Sequence, residues 1–449
     1  GASARHSPPP SRRQPPFHPS PIRSGPYQLP TDPPLPSDQL RTDWAGGLEA
    51  RSGERGWTAA KRRRLDQGAS VPPAPQRNGM RRVLVIGGSG FVGSHLVELL
   101  CTSSPERYSN PELKEVRVLD TRPFPLSELG FEKRIRQGIR LTWQVGDLRN
   151  RSEVEKIMKG VDIVLHLASI VDVSLHRNPN IEQVNVEGTK NVISACRKNL
   201  VNVLVYTSTM DVVYNGRPIR KGDAVSCRCA AYPANDYVRT KLMAERLVRQ
   251  ANDKHLRTCC LRPGHIYGER DPHATIQVLK KLRSGGLPLL LGNPSESKFD
   301  FCYAGNVAHG HLLAAAQLSK SSIDGKLTEG KEQVAGNAYH LSDENHQNFF
   351  AFFEPFARSK GLQLPRIYLP YRIVYLLACT LELLQAIFAR IFPSGRWFDP
   401  SLTIFVCNLT CQDYNFTSMR ARRDFDYRPL FDKDTAMQRT MRWVKKLEI

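Results

Sequence analysis

Along this chain the apolar residues fall into short unbroken runs that alternate with longer segments of helical spacing. The first run, Val83-Leu-Val-Ile86, is followed by a helical pattern from Phe91 to Cys101 and then by runs from Val116 to Asp120 and from Ile139 to Val145. A helical pattern from Ser152 to Met158, a run from Val161 to Leu167, a longer helical segment from Ile181 to Lys198 and the run Val203-Leu-Val-Tyr206 continue the alternation. Short β-branched runs with no polar face are strands buried on both sides, and the helices between them are the crossovers that parallel strands require. The pattern predicts an α/β fold built on a doubly wound parallel sheet of the Rossmann type.

Before residue 80 this pattern is missing. Residues 1–79 are rich in proline and arginine, as in Pro30-Thr-Asp-Pro-Pro-Leu-Pro-Ser37, and carry almost no aliphatic periodicity. Such a segment cannot bury enough apolar surface to offset its chain entropy, which predicts a disordered tail. Its run Lys61-Arg62-Arg63-Arg64 has the composition of a nuclear-localisation or nucleic-acid patch, and equally of a solvated charge run. Met80 stands directly before the first strand, so a natural translation start at that residue is expected; tryptic peptides from residues 1–79 in the endogenous protein would end that idea. After about residue 270 the rhythm loosens. Residues 80–268 are therefore expected to form one domain and residues 269–449 a smaller, mixed C-terminal region.

The chemistry sits in the first of these. Gly87, Gly90 and Gly93 follow the first strand at intervals of three. Gly87 permits a tight turn, Gly90 lets backbone approach a pyrophosphate, and Gly93 lets the next helix lie close to the sheet. The free amides at the start of that helix, at Phe91 and Val92, would face the phosphates. Asp120 ends the second strand, where a carboxylate accepts hydrogen bonds from both hydroxyls of an adenosine ribose and repels a 2′-phosphate. That favours NAD over NADP, although Arg122 stands two residues on. Asp147, followed by Leu148, ends the third strand and is placed either to meet the adenine amino group or to cap a loop.

Tyr237 and Lys241 are four residues apart in a segment of helical spacing, so phenol and ammonium project from one face. A neighbouring ammonium lowers a phenol's pKa and lets it serve as a general base. Ser208 and Thr209 end the strand that begins at Val203, where a hydroxyl can hold a substrate oxygen. Each feature alone has an ordinary structural explanation. Their occurrence in order, on alternating elements, points to a catalytic dehydrogenase.

At these residues the chain resembles an extended short-chain dehydrogenase/reductase, and His166-Leu-Ala168, Asn185-Val-Glu-Gly-Thr189 and Leu261-Arg-Pro-Gly-His-Ile-Tyr-Gly268 add to the likeness. Val118-Leu-Asp120, Tyr303-Ala-Gly-Asn-Val-Ala308 and Phe425-Asp-Tyr-Arg-Pro-Leu-Phe431 make it most similar to the 3β-hydroxysteroid dehydrogenase/Δ5-Δ4 isomerase group, over residues 81–449. The resemblance implies that Tyr237 removes the proton of a 3β-hydroxyl while hydride passes to NAD. Lys241 would hold the nicotinamide ribose, Ser208 or Thr209 would orient the reacting oxygen, and Asn185 would support a helix kink or proton path. Leu167, Ala168 and Pro263 would line the cofactor. The residues that line the steroid in an isomerase step are not matched, so no isomerase acid is assigned; Thr209 stands where bifunctional members carry serine, and Δ5-Δ4 isomerisation after oxidation stays open. The alternatives on the same scaffold are a decarboxylating 4α-carboxysterol 3-dehydrogenase and a nucleotide-sugar epimerase; outside catalysis, the alternative is a dinucleotide-binding scaffold.

Charge and cysteines change this picture little. A formal net charge of +21 makes nucleic acid or an anionic membrane surface worth weighing, and no specific nucleic acid is expected. The ten cysteines show no metal-ligand spacing and read as reduced thiols, with no metal site. The sequons at Asn408 and Asn415 are short enough to arise by chance. The apolar stretch Ile367 to Phe392 is interrupted by Arg372, Glu382, Gln385 and Arg390. It is either a buried helix or an interfacial one that receives lipophilic substrate, and the resemblance favours the second. Steroid or sterol substrate, an endoplasmic reticulum membrane and a second copy in a homodimer are the expected partners.

Overall fold

Val83, Leu84, Val85 and Ile86 have no exposure to solvent, and their alternate side chains enter two different apolar layers. The computed structural model describes residues 81–448 apart from 109–111, 177, 294, 296, 321–333 and 392–399. The expected tail, its arginine run and the start at Met80 lie outside the described residues. In chain order the strands are β1 (Arg82–Ile86), β2 (Glu115–Asp120), β3 (Arg140–Val145), β4 (Ile163–His166), β5 (Val203–Thr207), β6 (Ile219–Gly222) and β7 (Arg257–Pro263). They continue with β8 (His265–Tyr267), β9 (Leu290–Leu291), β10 (Phe299–Tyr303), β11 (Asn337–Leu341), β12 (Asn345–Gln347), β13 (Tyr368–Leu369) and β14 (Tyr414–Phe416).

Seven strands form one parallel sheet in the order β11-β7-β5-β4-β1-β2-β3. The helices that matter below are α1 (Phe91–Thr102), α2 (Arg151–Ile157), α3 (Gly188–Lys198), α4 (Asp236–Gln250), α5 (Ala304–Lys320), α6 (Tyr371–Ile391) and α7 (Ile404–Cys411). Val83 and Val85 share a core with Leu96 and Leu100 of α1 and Leu312 and Ala315 of α5. Leu84 and Ile86 share the other with Val154 of α2, Val192 of α3 and Ala244 and Val248 of α4. This is the expected doubly wound arrangement, and its strand order reverses between β1 and β4, where such folds open a crevice. At the edge, β3 departs from the expectation of burial on both faces: Trp143 is 47% exposed and Val145 54%.

The sheet is not confined to residues before 268. β11 lies beside β7, with Asn337 opposite Cys259 and Leu341 opposite Pro263, and α5 packs against α1. The rhythm loosens there because the other C-terminal strands build a second sheet, β12-β10-β14-β6 with β8 also paired to β10, and a small β9–β13 pair. The apolar stretch after residue 370 forms the single helix α6, and only Val374 and Ala378 of it are buried. A core helix would bury far more, so that alternative falls. Both sequon asparagines are buried, Asn408 donating to the Tyr214 hydroxyl and Asn415 to the Lys298 carbonyl, which leaves neither free to carry a glycan.

Candidate active site

The glycine turn is built by contact. Gly87 has φ +84, and a Cβ there would lie 2.6 Å from the Ala168 amide nitrogen at the end of β4. A Cβ on Gly93 would lie 2.1 Å from the Gly87 carbonyl oxygen, so only glycine lets α1 approach the turn. The amides of Leu167 and Ala168 both donate to the Ile86 carbonyl, which ties the ends of β1 and β4 around that turn. Gly90 is the N-cap of α1 and no side chain caps the helix, so the first amides, at Phe91 and Val92, are left for another acceptor.

At the end of β2 the Asp120 carboxylate accepts from the amides of Ser89 (3.0 Å) and Arg122 (3.2 Å), which holds it at the rim of the glycine turn. Arg122 is exposed and its guanidinium reaches toward the Ser89 carbonyl. The bare helix start, the cradle that any Cβ would fill and the rim carboxylate together fit a dinucleotide with an unphosphorylated ribose. Asp147 is engaged locally: it accepts from the Arg149 amide and from its guanidinium at 2.7 Å, and that ion pair holds the carboxyl below its usual range. Leu148 is buried behind it, its carbonyl held by Asn191.

Packed on β5 and β7 lies α4, capped by the Asn235 side chain, which accepts from the Val238 amide. Tyr237 and Lys241 are both buried on its inner face. The Lys241 ammonium donates to the Thr207 carbonyl and lies 4.4 Å from the centre of the Tyr206 ring. Burial brings its pKa down to about 7, opposed by the charges of Cys260 and Glu245. The expected lowering of the phenol's pKa by this lysine is not what the structure shows. Burial first and the Asp211 carboxylate second push the Tyr237 phenol up, while its hydrogen bond with Thr209 works the other way.

The two strand-end hydroxyls separate. Ser208 donates to Glu245 at 2.6 Å, and Glu245 is paired with Arg262 in a buried ion pair. Thr209 is bonded to Tyr237 and donates to Asp211 at 2.9 Å. Of the pair, then, Thr209 faces the phenol. Asn185 sits in a single π turn, Gln183–Glu187, that leads into α3. Its amide accepts from the Ile170 amide and donates to the Ile170 carbonyl and the Thr240 hydroxyl, tying the loop after β4 to α4 between Tyr237 and Lys241. Pro263 ends β7, buried beside Leu341 of β11.

Two groups escaped the sequence reading. Asp211 accepts from the Thr209 hydroxyl at 2.9 Å and lies beside the Tyr414 hydroxyl, and burial raises its pKa to about 6. Its signal was only a carboxylate two residues past a strand-end hydroxyl. Glu245 lies one turn after Lys241 on the same face of α4, a spacing that reads as an ordinary surface position.

A model of the 3-beta hydroxysteroid dehydrogenase/isomerase family matches residues 84–371. The chain belongs to that family. Among similar proteins, a mouse sterol-4-alpha-carboxylate 3-dehydrogenase (decarboxylating) is 31% identical over 80% of this chain and 90% of its own length. The human 3 beta-hydroxysteroid dehydrogenase type 7 is 33% identical over 81% and 95%. Among solved structures, a dTDP-glucose 4,6-dehydratase from Streptomyces venezuelae with NAD bound superimposes at a TM-score of 0.59, covering 81% of this chain and 97% of that one at 20% identity. A Thermus thermophilus UDP-glucose 4-epimerase in complex with NAD gives 0.53, with 81% and 99% covered at 21% identity. These structures share the fold of an extended short-chain dehydrogenase.

Proposed function

We propose that this protein is an oxidoreductase that converts the 3β-hydroxyl of a steroid or sterol to a 3-ketone with NAD as the oxidant. The observation that carries the reading is the buried pair Tyr237 and Lys241 on one face of α4, with Thr209 and Asp211 from the end of β5 close to the phenol and the Lys241 ammonium on the Thr207 carbonyl. Tyr237 would take the hydroxyl proton, its phenolate formed against the burial and the Asp211 charge that hold the phenol protonated. Thr209 holds the same substrate oxygen. Lys241 would offer its ammonium to the nicotinamide ribose, and Asn185 keeps α4 in register with the loop after β4. Bound NAD provides the carbon that accepts the hydride. Gly87, Gly90, Phe91, Val92 and Gly93 would cradle its pyrophosphate, Asp120 its adenosine ribose, Asp147 and Leu148 its adenine, and Leu167, Ala168 and Pro263 its nicotinamide end.

Relatives bear both 3β-hydroxysteroid and sterol-4-alpha-carboxylate names. Asp211 favours a substrate uncharged at C4, because a carboxylate beside the reacting carbon would meet a second carboxylate close to Tyr237. The exposed apolar face of α6 supports association with a membrane, and that of the endoplasmic reticulum is the compartment the reading implies. The test is Tyr237→Phe against the parent protein, with NAD and a panel of 3β-hydroxysterols with and without a 4α-carboxylate, products read by mass. NADH binding unchanged and ketone formation lost is the expected result. Undiminished turnover removes Tyr237 from the role.

A further inference from the structure

Glu269 and Arg270 follow β8, and two side chains fasten this piece of loop to α1. The His95 ring bonds the Glu269 carbonyl at 3.1 Å, and the Arg270 guanidinium donates through Nε to the Ser94 hydroxyl at 2.9 Å. Ser94 lies in the first turn of α1, with its amide on the Gly90 carbonyl and its hydroxyl on the Phe91 carbonyl. Arg270 is thereby brought against the helix whose leading amides no side chain caps.

The residue is held there under strain. Its φ is +72, in the left-handed region that residues with a Cβ rarely adopt, and strain of this kind gathers at ligand clamps. Its guanidinium also lacks a counter-charge. Of the two carboxylates near it, Glu269 accepts from the Tyr303 hydroxyl at 2.6 Å and from Arg439 at 2.9 Å, and Glu98 accepts from Arg134 at 2.6 Å. Three guanidiniums thus share two carboxylates, and Arg270 is the one left outside an ion pair. Its Nη2 is buried with no hydrogen-bond partner among the described residues. Burial draws its pKa below the ordinary guanidinium value, against the pull of Glu269 and Glu98. A buried cation in this state destabilises the fold until an anion meets it.

Resting on the function proposed above, we infer that Arg270 is a cofactor-binding residue, and that the pyrophosphate of NAD is the counter-ion its guanidinium lacks. The glycine turn contributes amides and room, while Arg270 contributes a full charge on a planar fork that suits phosphate oxygens. Ser94 and His95 act as positioning residues, because they hold the loop that carries the guanidinium against the helix start.

The test compares the full chain with Arg270→Met, which keeps an apolar stem and removes the charge, and with Arg270→Lys, which keeps the charge and removes the fork. NADH affinity is read by fluorescence titration at fixed ionic strength, and thermal midpoints are taken without cofactor and with inorganic pyrophosphate. The Met variant should bind NADH about tenfold more weakly or worse, the loss expected of a charged hydrogen bond. Without cofactor its midpoint should equal or exceed that of the parent, since an uncompensated charge is gone. Pyrophosphate should raise the midpoint of the parent and of the Lys variant but not that of the Met variant, and the Lys variant should recover part of the NADH affinity. NADH affinity unchanged in the Met variant would overturn the inference. So would a cofactor-free midpoint that falls in that variant, which would make Arg270 a structural residue, or a Lys variant no better than the Met variant. If the parent protein binds no NADH, the functional reading fails; a rise in midpoint with pyrophosphate that the Met variant lacks then still assigns Arg270 to a phosphate anion, and its absence overturns that as well.

Discussion

The Ser208 hydroxyl donates to the Glu245 carboxylate across 2.6 Å, in a site closed by the Arg262 guanidinium, while Thr209 next to it turns to Tyr237. Adjacent hydroxyls therefore have different tasks. Thr209→Val should lower kcat for sterol oxidation by about 10²–10³-fold, the usual loss on removing a donor at a reacting oxygen. Ser208→Ala should instead lower stability by about 1.5–3 kcal/mol, since it strips a donor from a buried carboxylate. Urea denaturation and steady-state kinetics on both variants separate the two.

Asp120 is held at the rim of the glycine turn by two backbone amides, two residues before an exposed arginine. Asp120→Ala should cost about 1.5–3 kcal/mol of NAD recognition, roughly tenfold or more in kcat/KM. The same change should raise kcat/KM for NADP, because repulsion of a 2′-phosphate is gone and Arg122 remains. The ratio of the two values, measured with one sterol, decides it.

Lys241 has a folded-state pKa brought from 10.5 to about 7 by burial. Between these values the unfolded chain binds the proton that the folded chain has lost, so stability rises with pH from about 7 to about 10.5 and is flat in this respect below 7. Lys241→Met should flatten that rise and should be more stable than the parent near pH 7. Denaturation midpoints of both proteins, without cofactor, at pH 7, 8.5 and 9.5 are the measurement.

Asp211 raises the Tyr237 phenol's pKa, second only to burial. Asp211→Asn removes that charge and keeps an acceptor for Thr209. The rising limb of kcat/KM against pH should move to lower pH in the variant. A limb that stays in place would mean that the carboxyl and the phenol do not communicate.

Sequence and structure agree where the cause is local or periodic. Buried β-branched runs place β1, β2, β4 and β5 within a residue or two, and the glycine spacing marks a turn in which a methyl group would collide with backbone. Tyr237 and Lys241 share a face because four residues make about one turn. What remained hidden depends on contacts between distant segments. The division of labour between Ser208 and Thr209 rests on Glu245 and Arg262, and nothing in their own neighbourhood of the chain announces it. The lysine's failure to depress the phenol follows from burial, a property of the assembled core. Likewise composition leaves α6 open between a buried and an interfacial helix, and its packing on α7 along one stripe shows the other stripe bare.

The last strand of the main sheet, β11, ends at residue 341 of 449. Until it emerges from the ribosome, β7 presents an unpaired edge, with the end that carries Pro263 uncovered. Folding of the catalytic half therefore waits on synthesis of the C-terminal half. A chain interrupted between residues 271 and 337 is expected to be caught by chaperones or to aggregate through that edge, even though every residue assigned to the chemistry has already been made.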